Sequence, residues 1–222
     1  MSSRLAQLAI GLLSLAPLAC TVGEGEGAVK SDHLYVNGCW NGQFDLDPDF
    51  FGANPDQDEA LMIRVQRGDN VEDVSDGLEV NVIDLQDVRQ AIADAKTGGA
   101  DGADFQVGMP PGVSPPGVPI VFNPTPPKVT LTLYLHHTCH QQVGTIYSIS
   151  GTIHFTSLFS GDLNEGSSEN RLTQATFTDI SFADPRELVA AQDSMTMASL
   201  TSQVSGNFRF FFQRGQPSQP FE

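Results

Sequence analysis

From Val129 to His136 the chain alternates without a break: Val129, Leu131, Leu133 and Leu135 are apolar, and Thr130, Thr132, Tyr134 and His136 lie between them. A period of two puts every second side chain on one face, so this segment is a strand with one buried side. Strand-like runs recur at Val143–Phe159, Leu172–Phe182 and, broken, Met195–Phe212; upstream they occupy Gly42–Leu46, Ala60–Arg67 and Leu78–Asp84. Short strands divided by Gly, Pro, Asn and Asp predict a mostly-β chain, and two packed antiparallel sheets are the natural way to bury their apolar faces. The expectation is one antiparallel β-sandwich-like domain over residues 33–214.

The period changes once. Asp84 is placed to cap a helix, Asp87 holds its third position, and Val88, Ile92 and Ala95 share a face up to Lys96, with Gly98-Gly99 as the stop. This predicts one short α-helix. Thr97–Pro127 holds eight of the fourteen prolines, and a segment so poor in backbone donors reads as a long Pro/Gly-rich surface loop. Within it Gly98–Asp104 resembles one turn of the glycine-rich calcium repeat, although a single copy has no neighbour to stack on. Residues 215–222 form a polar tail.

The N-terminus has one positive charge at Arg4, an apolar run from Leu5 to Leu18, and then Ala19-Cys20. A basic start, a hydrophobic segment short of the ~20 residues of a spanning helix, and a small residue before the cut make a secretory signal. With cysteine directly after the cut, it resembles the signal of a bacterial lipoprotein precursor; Pro17 and Leu18 depart from that family's favoured residues. An ordinary secretory signal, cut near Ala19 or after Ala28, is the competing reading. The resemblance implies that residues 1–19 are removed and that Cys20 is lipidated and becomes the N-terminus. Thr21, where many inner-membrane lipoproteins have Asp, implies the outer membrane. Residues 20–32, rich in alternating Gly and Glu, then read as a flexible tether.

With Cys20 committed to lipid, Cys39 and Cys139 remain. Two thiols in an oxidising envelope read as one disulfide, closing a loop of about 100 residues and stabilising by ~4–5 kcal/mol in the chain-entropy view. The alternative for either thiol is a metal ligand. Trp40, beside Cys39, is expected to pack on the bridge.

Removal of residues 1–19 leaves 203 residues (222 − 19) and takes the formal charge from −16 to −17, with 10 basic and 27 acidic residues. Such a chain is unsuited to nucleic acid or to electrostatic docking on anionic lipid, so membrane attachment falls to the acyl chains. Asp45, Asp47 and Asp49 lie in Asp45–Glu59, which reads as one acidic loop, and have the spacing that brings alternate carboxylates to calcium. An EF-hand needs Gly where Phe50 stands and Glu where Asp56 stands, so any calcium loop here is a looser one. His136 and His140 flank Cys139 as transition-metal candidates; in an extended strand they lie ~13 Å apart, and a turn at Thr138-Cys139 is needed to unite them.

No nucleophile elbow, His-Glu-x-x-His or phosphate-binding glycine loop is present. The leading expectation is a lipid-anchored envelope protein acting as a non-enzymatic structural or binding module, with no cofactor and with an envelope protein or surface glycan as partner. A calcium-dependent binding module and a secreted hydrolase with dispersed catalytic residues are the alternatives.

Overall fold

The computed structural model describes residues 25–56, 59–68, 72–111, 113, 127–140, 144–184, 187 and 200–213. In chain order the elements are β1 (Gly25–Val36), β2 (Trp40–Leu46), β3 (Phe50–Pro55), β4 (Leu61–Arg67), a 3₁₀ turn (Glu72–Val74), β5 (Asp76–Val82), α1 (Leu85–Thr97) and β6 (Ala103–Gly108). There follow β7 (Val129–Leu135), β8 (Thr145–Ser150), β9 (Thr152–Ser157), α2 (Ser168–Arg171), β10 (Leu172–Ala183) and β11 (Thr201–Phe211).

The chain is mostly β, as its alternation predicts, and the sheet is built differently from the expected pair. Eleven strands form one sheet in the order β2-β1-β11-β10-β9-β6-β7-β5-β4-β3, with β8 joined to both β10 and β7. Among the described residues only β6 and β7 pair in parallel. Continuity comes from β8 and β9, which run on from each other and hold β10 on one side and β7 and β6 on the other. The sheet folds over on itself in sandwich-like fashion. Phe51 of β3 and Phe210 of β11, on strands far apart in the ladder, meet with ring centroids 5.9 Å apart. Val29, Leu46, Ile63, Val80, Leu131, Ile146, Phe155, Phe182 and Phe208 belong to one core between the two halves. Each such side chain contributes about 1.5–3 kcal/mol on burial.

A crease crosses the middle of the sheet. Gly151, at φ +133° between β8 and β9, takes a conformation that a side chain resists. Beside it β10 bulges between Phe177 and Ile180, and Asp179 adopts φ +52°. The bulge is held by its own polar groups: Asp179 N–H donates to Ser205 Oγ (2.9 Å), which donates back to Asp179 Oδ1 (3.3 Å). The register of β1 against β2 shifts between Ser31 and Leu34 as well. Bulges bend a strand and raise its twist, which lets a single sheet turn over a core.

Three expectations are corrected. The tether assigned to residues 20–32 is strand from Gly25 onward, with Gly25–Lys30 paired to β11. Its glycines serve packing: an added Cβ at Gly25 would lie 2.6 Å from the Phe51 ring and one at Gly27 2.7 Å from Asn207 O. Second, the stretch read as one acidic loop contains β3, paired along its length with β4. Third, the Pro/Gly-rich loop contains β6, whose Phe105 makes an edge contact with Phe155 at 6.0 Å; residues 112 and 114–126 of that loop lie outside the described residues. The helix forms where its capping pattern predicts. Asp84 accepts from Asp87 N–H at the start of α1, Gly98 closes the end, and Leu85, Val88 and Ile92 are buried.

Ser31 is buried on β1 and its hydroxyl has no hydrogen-bond partner among the described residues. A buried unpaired hydroxyl costs stability, so Ser31→Ala is expected to leave the unfolding free energy unchanged or to raise it by up to about 1 kcal/mol. Urea unfolding checks this, and a clear loss would mean that the hydroxyl is bonded.

Candidate functional site

The outer face of β4, β5 and β7 should be wet, and part of it is covered. On β4, Leu61, Ile63 and Val65 point into the core, which sends Arg64 and Gln66 outward; yet both are buried. The ladder aligns Arg64 with Glu79 and Thr132, and Gln66 with Gly77 and Tyr134. Tyr134 O–H donates to Gln66 Oε1 (2.7 Å), and Gln66 Nε2 donates to Ser75 Oγ (3.2 Å). Glu72, in the 3₁₀ turn, accepts from Arg64 Nη2 at 2.9 Å. His136 joins through both nitrogens, Nδ1 to Glu72 O (3.1 Å) and Nε2 to Thr145 Oγ1 (3.2 Å), and its ring lies 5.3 Å from that of Tyr134. A carbonyl only accepts, so Nδ1 carries a proton. Gly77 makes room for this stack, since an added Cβ would lie 2.5 Å from Tyr134 Cζ.

Electrostatics follow from this enclosure. Burial pushes the Tyr134 phenol well above its ordinary range, so it acts as a hydrogen-bond donor and not as a base. Glu79 is also raised, first by burial, against the opposing hydrogen bond from Asn81; Glu72 raises it further and Arg64 lowers it. A carboxyl whose pKa is higher folded than unfolded adds stability that is complete below the unfolded value and is lost as pH rises through the folded one. Glu79→Gln is therefore expected to be more stable than the parent at neutral pH, with the difference vanishing below the ordinary value of 4.5. Thermal midpoints measured across that interval check the sign.

The residues singled out by sequence fall in several places. Cys39 and Cys139 are disulfide-bonded, with Cα atoms 5.7 Å apart, joining the β1–β2 turn to the turn after β7. Trp40 packs against the core there and makes an edge contact with Phe44. Asp45 pairs with Lys30 across the ladder at 3.3 Å, and Asp49 Oδ1 accepts from Gly68 N–H at 3.1 Å; Asp47 is exposed between them. The segment from His136 to His140 is a turn, pinned by Asp76, whose two oxygens accept from Thr138 N–H and O–H. In that turn both ring nitrogens of His136 are engaged by the chain itself. Among the described residues no three of His, Cys, Asp and Glu converge on one metal position. Cys20 lies outside the described residues.

Sequence reasoning missed the Arg64 cluster. Its trace was visible, a cation and an amide (Arg64 and Gln66) among the apolar residues of the strand LMIRVQR, but nothing local says that an outward-facing Arg is covered. A second set also went unremarked: His154 of β9 lies between Asp104 of β6 (2.7 Å) and Asp101 (3.3 Å). Comparison with family models, curated proteins and solved structures finds no match for this chain.

Proposed function

We propose that the protein is a lipid-anchored component of the cell envelope, held at the outer membrane through Cys20, where it acts as a non-enzymatic structural or binding module. The observation that supports this reading most is the start of β1. An interior strand begins at Gly25, five residues after the cysteine whose sequence context resembles a lipidation site. Five residues reach about 17 Å at most. A lipid on Cys20 would therefore hold the sheet against the bilayer and fix which end faces out. The end carrying Gly25 and Phe210 would be proximal. The β1–β2 turn and its disulfide, about 35 Å further along the twelve-residue β1, would face a partner in the envelope, a protein or a surface glycan.

The Arg64 cluster fits a scaffold role, since Arg64, Gln66, Tyr134 and His136 all hydrogen-bond within the chain. The calcium-dependent reading has less support, because Asp45 and Asp49 are each engaged by the protein itself. A hydrolase reading gains little from His154, whose Nε2 faces a carboxylate and not a hydroxyl.

Intact mass of protein extracted from its native membrane tests the anchor. The expected result is loss of residues 1–19 together with a lipid adduct, both absent in Cys20→Ser. A soluble, unlipidated product of the parent chain would overturn it.

A further inference from the structure

Asp104 stands directly opposite His154 in the ladder between β6 and β9, and its Oδ1 lies 2.7 Å from His154 Nδ1. Because a carboxylate only accepts, Nδ1 carries a proton, and whenever the ring is neutral its lone pair is at Nε2. That nitrogen is buried and has no hydrogen-bond partner among the described residues. It faces Asp101 Oδ1 at 3.3 Å. Two acceptors held this close repel each other unless something positive lies between them. The separation also matches the edge of a tetrahedron with metal–ligand bonds of about 2.0 Å. Gly102 lets the backbone approach, since a Cβ there would lie 2.8 Å from Nε2. The Asp101 side chain is 86% exposed, so it can swing to admit an ion from solvent.

We propose that His154 Nε2 and the Asp101 carboxylate bind a divalent transition-metal cation of the zinc class, with Asp104 as a positioning residue that holds the ring's tautomer and direction. A carboxylate behind a ligating histidine is the usual second partner of such a ligand. Imidazole selects zinc-like ions over calcium or magnesium. The chain supplies two ligands, and water takes the remaining positions. This site is independent of the anchor proposed above.

The test is calorimetric titration of zinc chloride into the full chain, at a slightly alkaline pH where an ordinary imidazole is neutral. One saturable site is expected, with no heat from calcium chloride. His154→Gln abolishes it, Asp101→Asn weakens it by about tenfold or more, and Asp104→Asn weakens it about 10–100-fold. His137→Gln with His140→Gln leaves the isotherm unchanged. Nitrogen NMR of the imidazoles should show zinc moving the His154 Nε2 signal while Nδ1 stays protonated, a signature that a merely structural role would not produce. Should His154→Gln fail to fold, Asp101→Asn, at an exposed side chain, carries the comparison. Binding that survives in these variants, or that disappears only with His137 and His140, overturns the proposal. A His154 ring that stays doubly protonated when zinc is added does so too, because a proton then fills the gap.

Discussion

Replacing Cys39 and Cys139 together by alanine is expected to lower the unfolding free energy by about 4 kcal/mol, the largest effect foreseen for this chain. The bridge spans 100 residues. In the chain-entropy view, closing a loop of that length removes enough freedom from the unfolded chain to stabilise by about 4.7 kcal/mol. Its ends are also part of the core: Cys139 is buried, while Cys39 and Trp40 pack against the main cluster. For a chain of this size the thermal midpoint should fall by roughly 10 °C. Urea unfolding of the double variant, beside the parent with and without reductant, measures it. A loss below about 1 kcal/mol would mean that the loop is already constrained in the unfolded chain.

The second large effect is at Arg64. Arg64→Ala is expected to cost about 3 kcal/mol, the lower end of the range for breaking a buried pair. The lower end applies because the side chains differ in exposure, 3% for Arg64 and 35% for Glu72, so the abandoned carboxylate can turn to water. Lost packing of the arginine stem is part of the same cost. Arg64→Met combined with Glu72→Gln should recover most of it, since removing both charges together leaves neither one buried without its partner. The pH dependence carries a separate signature. Arg64 is one of the influences that lower the Glu79 pKa, against burial and Glu72, which raise it. Without the guanidinium the Glu79 value climbs further, and the loss of stability with rising pH becomes steeper. Urea unfolding at several pH values reads both. An Arg64→Ala variant of parental stability would mean that the cluster is incidental to the fold.

How much of this was legible depends on where each signal resides. The helix α1 was readable because its information is local: a capping aspartate, one apolar stripe and a glycine stop lie within a few turns. The Cys39–Cys139 pairing was readable from the cysteine count and the expected compartment. Gly25 and Gly27 were misread because a glycine that yields space to Phe51 or to the Asn207 carbonyl looks, in sequence, like a glycine that loosens a linker. The six-residue β6 was hidden in the same way, inside a proline-rich surrounding that reads as loop.

The candidate sites divide along the same line. Asp45, Asp47 and Asp49 share a spacing that suggests one ion, yet Lys30 and Gly68 N–H, each from another part of the chain, claim the first and last. Asp101 and Asp104 share no local pattern with His154, which is 50 residues from Asp104, and meet it because β6 lies beside β9.

By itself the sequence determined the β class, the helix, the disulfide pair and the acidic surface, because alternation, capping, cysteine number and charge are properties of neighbours or of composition. Tertiary structure alone decided that one creased sheet replaces two, that Arg64 is covered, and that His154 is set between two carboxylates. Those outcomes depend on which distant strands pair and in what register, and a one-residue slip in register would exchange the faces of a whole strand.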